Sequence, residues 1–200
     1  MIHVQKFSIS TDGFYGALHR PEQDGYPGKA LILFSGSDGK FRLTSRLAEL
    51  FCVNGITTMA LAYWNVPGLP EEFRELPVDT LEKASLWLRN NGYEKIGLWG
   101  ISKGGELALL AGSLMPELIS CVVAVSPINA VCQGISKRRG IRTLPCSSWS
   151  WHGQYVPYTP LSLSKIKLLR DCWKGKEVTM TNIYRPVVEH PLPESVIQGV

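Results

Sequence analysis

The sequence has no Cys-x-x-Cys pair. Its cysteines, Cys52, Cys121, Cys132, Cys146 and Cys172, are odd in number and irregular in spacing. A disulfide framework or a zinc site needs paired, regularly spaced ligands, so the pattern argues against both, and no metal is expected. Unpaired thiols suit a reducing compartment, here read as the cytoplasm. Long hydrophobic runs are also missing. The richest stretch, Leu107 to Met115, is broken by Gly112 and Ser113 and followed by Pro116. It falls short of the roughly 18–20 apolar residues that a membrane span needs. Met1-Ile2-His3-Val4-Gln5-Lys6 has no apolar signal-peptide core. Charge of one sign is scarce: 21 Lys+Arg against 17 Asp+Glu leave a net +4, too mild to imply a nucleic-acid partner. The densest basic run, Lys137-Arg138-Arg139 with Arg142, reads first as a solvated loop. The phosphate-loop pattern GxxxxGK[ST] does not occur, and neither does an internal repeat.

What is present is a 200-residue chain, 44% hydrophobic and 10% aromatic, long enough to bury one sizeable core. Residues 3–9 and 14–19 alternate enough to be two strands, with Asp12-Gly13 as the hairpin signal between them. Ala30-Leu31-Ile32-Leu33-Phe34 is a continuous apolar run, as expected of a strand buried on both faces of a parallel sheet. A helix with Leu43, Leu47, Leu50 and Phe51 on one face should follow. Ile56 to Ala62 reads as a strand, the segment around Leu81, Ala84 and Leu88 as a helix, and Lys95 to Trp99 as a short strand. Gly104 to Leu114 reads as a helix and Ser120 to Val125 as another strand. This alternation predicts an α/β fold: a mostly parallel, twisted sheet with helices on both faces. After Ser126 the pattern dissolves into aromatics, prolines and basic residues, with one helical stretch near Leu161 to Trp173. The expected organisation is a core over 1–126 opened by a hairpin within 1–20, a cap or insertion over 127–190, and the approach to a further core strand over 191–200.

The residues that carry chemistry are Gly100-Ile101-Ser102-Lys103-Gly104, which fit G-x-S-x-G. A predicted strand enters the motif and a predicted helix leaves it. A sharp strand-to-helix turn holds such a serine in strained geometry, and the flanking glycines let neighbouring backbone approach. Ser102 is the candidate nucleophile. In this arrangement one oxyanion-hole N–H comes from the residue after it, Lys103. The other comes from the loop after the earlier strand, where the Ser37 and Asp38 amides are equal candidates. The plainer alternatives are a glycine-rich turn, phosphate-binding or purely structural, at the serine, and a polar turn joining strand to helix at Ser35 to Gly39.

Three runs in order resemble a known family: Phe34-Ser35-Gly36-Ser37-Asp38-Gly39; Ala60-Leu61-Ala62-Tyr63-Trp64-Asn65 with Pro67-Gly68-Leu69-Pro70; and Gly100-Ile101-Ser102-Lys103-Gly104-Gly105-Glu106. They resemble the C-terminal domain of the acyl-CoA thioester hydrolases and bile acid-CoA:amino acid N-acyltransferases, a branch of the α/β-hydrolase superfamily. The resemblance is close over roughly residues 28–130. It implies an α/β-hydrolase fold, hydrolysis of acyl-CoA thioesters, an acyl-CoA as small-molecule partner and no cofactor. Acyltransferase members carry cysteine at the elbow and hydrolases serine, so Ser102 implies transfer of the acyl group to water. The short hairpin ahead of the core makes the chain look like the stand-alone bacterial form.

The order in this superfamily is serine, then acid, then histidine. Asp171 followed by His190 has that order, but Asp171 lies in the helical-looking Leu168-Leu169-Arg170-Asp171-Cys172-Trp173. The simpler expectation is a C-terminally truncated member, with acid and histidine beyond residue 200, an incomplete sheet, and an exposed edge that could support a homo-oligomer. Three functions stay open: a serine acyl-CoA thioesterase; a carboxylesterase or dienelactone-type hydrolase using the same elbow; and a catalytically inactive hydrolase-fold module. In the first, Trp149, Trp151, Tyr155, Tyr158 and Trp173 are candidates for an acyl channel, and the Lys137 to Arg142 cluster for contact with CoA phosphates.

Overall fold

A computed structural model describes residues 2–136 and 142–160. In chain order the first elements are β1 (His3–Phe7), α1 (Ile9–Asp12), β2 (Tyr15–Arg20), β3 (Lys29–Phe34), α2 (Phe41–Val53), β4 (Thr58–Ala62), β5 (Leu76–Pro77) and α3 (Asp79–Asn90). There follow β6 (Lys95–Ile101), α4 (Lys103–Leu114), β7 (Cys121–Val125), β8 (Gln133–Ser136), β9 (Arg142–Ser147), β10 (Trp149–Trp151) and β11 (Gln154–Tyr155).

The central sheet runs β1-β2-β4-β3-β6-β7. The β4-β3-β6-β7 pairs are parallel, and the β1-β2 and β2-β4 pairs are antiparallel. Its middle is built from the expected apolar runs. Ile32 and Phe34 of β3, with Ile96 and Leu98 of β6, point to one face, because side chains alternate along a strand. They join Leu81, Ala84 and Leu88 of α3 and Leu107, Ala108 and Ala111 of α4 in one buried core. The opposite face is covered by α2, whose Phe51 ring meets Trp99 of β6 at 6.1 Å. Strand β7 pairs with β6, and Val123 on it is 47% exposed.

Four local expectations are corrected. Asp12-Gly13 is not a tight hairpin turn: α1 makes one helical turn there, closed by Gly13 at φ 77° with its N–H on the Ile9 carbonyl at 3.1 Å. The Asp12 carboxylate accepts the Ser8 N–H at 2.9 Å, so its polar side chain serves the helix start. Helix α2 buries Thr44, Ala48 and Cys52, while Leu43 and Leu50 face outwards. Small side chains let the helix lie close to the sheet, and the leucine spacing misled the face assignment. The segment between β4 and α3, where the sequence reading placed no strand, contains β5, which pairs in parallel with β10. Finally, the region after residue 126 holds β8 to β11, and β8 pairs with β9. These strands are two to six residues long, and Pro145 interrupts β9, so no apolar run announced them.

Asp171, His190, Trp173, the helical stretch from Leu161 to Trp173 and the 191–200 segment lie outside the described residues. So do Lys137, Arg138 and Arg139.

Candidate active site

Ser102 alone turns the chain from β6 into α4. Its backbone sits at φ 54° and ψ −116°, a combination that a residue with a side chain rarely adopts. The turn is held from both sides: the Ser102 N–H donates to the Val125 carbonyl at 2.9 Å, and the Ser102 carbonyl accepts the Glu106 N–H at 3.1 Å. The side chain is exposed at the carboxyl end of the sheet. The two motif glycines are required by space. A Cβ on Gly100 would lie 2.2 Å from the Gly104 carbonyl oxygen, and one on Gly104 would lie 2.3 Å from the Ser35 carbonyl oxygen. Gly104 is therefore where the elbow helix touches the loop after β3.

That loop faces the serine. A Cβ on Gly36 would lie 3.2 Å from Ser102 Cβ and 3.7 Å from Ser102 Oγ. Ser37 is half-buried and Asp38 exposed. Asp38 Oδ1 accepts the Lys40 N–H at 2.7 Å, so this carboxylate shapes the turn into α2. Beneath the loop, the Tyr63 hydroxyl donates towards the Ser35 carbonyl at 3.0 Å and the Gly36 carbonyl at 2.8 Å. The space behind it is nearly filled: a cavity of about 10 Å³, bounded by residues including Ser35, Gly39, Tyr63 and Trp64, remains. The structure thus brings Ser102 together with the Ser35–Asp38 loop. Lys103, first residue of α4, has one of the N–H groups that a helix start leaves without an intrahelical acceptor.

The Lys103 side chain does something the motif alone does not announce. It turns into the protein, 8% exposed. Its Nζ lies 2.8 Å from both Glu106 carboxylate oxygens and 2.8 Å from Ser148 Oγ. Glu106 Oε1 also accepts the Trp149 indole N–H at 2.7 Å and the Cys132 N–H at 3.1 Å. A buried charge pair with its remaining sites filled in this way is tolerated in an interior. Burial, reinforced by the Glu106 carboxylate, pushes the Cys132 thiol up to about 11, with Lys103 opposing. Sequence reasoning used Lys103 only for its amide, gave Glu106 and Tyr63 no role of their own, and passed over Ser148. The legible signal was a Lys and a Glu three residues apart on a helix of glycine, alanine and leucine, where a charge has little choice but to pair.

Trp149 departs from its expected place in an acyl channel. It is fully buried, with its ring 5.5 Å from Tyr63 and the Lys103 ammonium 5.1 Å from its own centre. Tyr155 is 66% exposed, and Trp151 stacks on His152 at 4.1 Å. The described histidines are placed away from Ser102 or engaged elsewhere. His19 lies on β2, three strands from β6, or about 14 Å at the usual strand spacing; its Nε2 pairs with Ser45 Oγ at 3.2 Å. His3 is on the outer strand β1. His152 bonds Glu82 Oε2 at 3.1 Å, and its N–H donates to Asp79 Oδ1 at 3.2 Å. These three groups, within 4.8 Å of one another, form a surface cluster at the start of α3. Cys52, Cys121, Cys132 and Cys146 are free thiols. Among the described residues no helix is long and apolar enough to cross a membrane.

Comparison with known proteins agrees with this architecture. The family model described as Alpha/beta hydrolase domain containing 18 matches residues 76–165. Acyl-coenzyme A thioesterase 2, mitochondrial, of Mus musculus is 36% identical over 154 residues, which are 76% of this chain and 30% of that protein. Bile acid-CoA:amino acid N-acyltransferase of Mus musculus is 26% identical over 161 residues, 78% of this chain and 34% of that protein. The chain thus spans about a third of the length of these curated relatives. A solved structure of a candidate dienelactone hydrolase from Klebsiella pneumoniae superposes with a TM-score of 0.52 at 18% identity, covering 64% of this chain and 60% of that one. That likeness concerns the fold. The chain is an α/β-hydrolase-fold protein, related in sequence to the acyl-CoA thioesterases and to bile acid-CoA:amino acid N-acyltransferase.

Proposed function

We propose that the protein hydrolyses acyl-CoA thioesters to the free acid and CoA, with Ser102 as nucleophile. The observation that carries this reading is the backbone of Ser102, held at positive φ between β6 and α4 with its side chain exposed and Gly36 against it. Strain at an exposed serine, fixed by hydrogen bonds on both sides, is what an elbow nucleophile needs. The sequence relationship to thioesterases supports the choice of thioester, and serine at the elbow supports water as acyl acceptor.

In this mechanism Ser102 Oγ attacks the thioester carbonyl carbon and loses its proton to a histidine base. Negative charge collects on the former carbonyl oxygen. The Lys103 N–H and an amide of Ser37 or Asp38 receive it, stabilising the tetrahedral intermediate. The C–S bond then breaks, CoA leaves as thiolate and takes up the proton, and an acyl-enzyme remains. Water adds to that ester, and the same steps in reverse order free the acid and restore the serine. The base and its acid partner are assigned outside the described residues. Asp171 with His190 is the candidate pair that this sequence offers. The cysteine pattern favours a reducing compartment. The mouse thioesterase 2 relative is a mitochondrial protein by name, so the cytoplasm is one of two compartments to be tested by localisation.

The test uses the full-length protein and compares decanoyl-CoA with p-nitrophenyl butyrate in the wild type and in Ser102→Ala. The reading predicts a higher kcat/KM for the thioester and loss of both activities in the variant. Preference for the aryl ester would instead make the protein an esterase. Undiminished turnover in Ser102→Ala would remove the nucleophile assignment.

A further inference from the structure

We propose that Tyr63 is a positioning residue for catalysis: its hydroxyl fixes the two peptide planes of the Ser35–Ser37 loop that lie against Ser102. The inference rests on the serine-hydrolase reading above.

Tyr63 follows directly on β4 and is 3% exposed. One hydroxyl group faces two carbonyl oxygens, those of Ser35 at 3.0 Å and Gly36 at 2.8 Å. The direction of its hydrogen is settled by these partners: a carbonyl oxygen can only accept, so the hydroxyl donates, its one hydrogen shared between the two.

Holding a carbonyl also holds the N–H on the far side of the same planar trans peptide, turned the opposite way. The described peptides are trans. The Ser35 carbonyl belongs to the peptide that carries the Gly36 N–H, and the Gly36 carbonyl to the one that carries the Ser37 N–H. Tyr63 therefore sets the orientation of both amides at the point where the loop meets the serine. The contact of Gly36 with Ser102 makes this the relevant stretch of backbone. A flipped peptide here would present a carbonyl oxygen where a donor is required and would repel the developing oxyanion.

The clamp is itself held. Phe34 packs edge-on to the Tyr63 ring at 6.2 Å, and Trp149 lies 5.5 Å away on another side. Trp149 in turn donates to Glu106, the partner of Lys103. Both sides of the candidate oxyanion site, the loop through Tyr63 and the helix start through Lys103, are thus tied to one buried tryptophan of β10. Burial, with the Asp38 and Glu106 carboxylates adding to it, raises the Tyr63 pKa well above the ordinary tyrosine value, so the hydroxyl stays a donor across the working range.

The experiment is Tyr63→Phe in the full-length protein, assayed on whichever of decanoyl-CoA and p-nitrophenyl butyrate the wild type turns over. Rates are expressed per Ser102 labelled by a fluorophosphonate. We expect kcat per labelled site to fall about tenfold or more, below the ~100–1000-fold cost of deleting a direct oxyanion donor, with KM within about twofold of wild type. Affinity for phenylethyl boronic acid, whose serine adduct places an oxygen in the oxyanion position, should weaken in proportion. A lower melting temperature with unchanged kcat per labelled site and unchanged boronate affinity would mean a purely structural tyrosine and would overturn the proposal. Should Tyr63→Phe not fold, Trp149→Phe removes a support of the ring while keeping the hydroxyl. It must then show the same loss in kcat and boronate affinity, and wild-type values for both overturn the proposal. If the wild type itself takes no label at Ser102, the serine-hydrolase reading fails and the inference with it. Labelled wild type beside an unaffected Tyr63→Phe removes the inference alone.

Discussion

Lys103 Nζ and the two carboxylate oxygens of Glu106 meet at 2.8 Å, one turn apart on α4 and nearly sealed from water. Removing one member leaves the other as an uncompensated buried charge, which costs about 3–5 kcal/mol. Lys103→Met should therefore lower the urea-unfolding free energy by that order. Lys103→Met with Glu106→Leu should recover part of the loss, because no charge is left stranded. The recovery stays partial, since the Trp149 indole and the Cys132 amide lose their acceptor. A Lys103→Met protein as stable as wild type would show that the pair is open to solvent in solution.

The glycines of the elbow separate into those that space demands and those it does not. Gly104→Ala places a Cβ 2.3 Å from the Ser35 carbonyl oxygen, and backbone must move to relieve it. The displaced backbone is the loop beside Ser102, so the variant should lose both melting temperature and fluorophosphonate labelling. Gly112→Ala lies on the same helix and meets only Val122 Cγ2, at 2.8 Å. Alanine is favoured over glycine in a helix by roughly 1 kcal/mol, which offsets the small shift of a valine on the half-exposed β7. Gly112→Ala should be close to wild type in both measurements. Equal effects of the two substitutions would contradict the packing described for the elbow.

These contrasts show what the sequence made legible. Continuous apolar runs such as Ala30–Phe34 marked buried strands, because a strand covered on both faces has no polar side to display. Ser102 stood out because a positive-φ turn needs glycines at fixed offsets, and offsets can be read from a sequence. The face of α2 was misread because close packing on the sheet selected Thr44, Ala48 and Cys52 for size, while Leu43 and Leu50 have no cover among the described residues. Strands β8 to β11 were missed because they are only two to six residues long: β8 pairs with β9, β10 pairs with β11, and β10 is also matched to the distant β5. Strands this short leave no readable period. Trp149 was counted as a channel residue because burial among partners far apart in the chain cannot be told from a cap aromatic by composition.

His19 supplies a prediction on pH. It is buried between β2 and α2, with Nε2 on Ser45 Oγ at 3.2 Å and Nδ1 without a hydrogen-bond partner. Burial lowers its pKa below the usual 6.5, with Glu49 opposing. Above that value the ring is neutral in both folded and unfolded chains and adds no pH dependence. As pH falls through it, the unfolded chain takes the proton first, so stability drops until the lower folded pKa is reached. His19→Gln should flatten this part of the stability curve. The check is the change in melting temperature between about pH 7.5 and pH 5.5 in both proteins. A variant whose change matches that of wild type would show that His19 is not the group responsible.

The central claim is that the residue held at positive φ between β6 and α4 is the nucleophile. Its most direct measurement is peptide mapping by mass spectrometry of the active full-length protein after inactivation with a fluorophosphonate. The account predicts one phosphonyl group, on Ser102, with loss of activity in step with its appearance. An active preparation that is inactivated with the adduct on another residue, or that keeps its turnover with Ser102 fully modified, would contradict it.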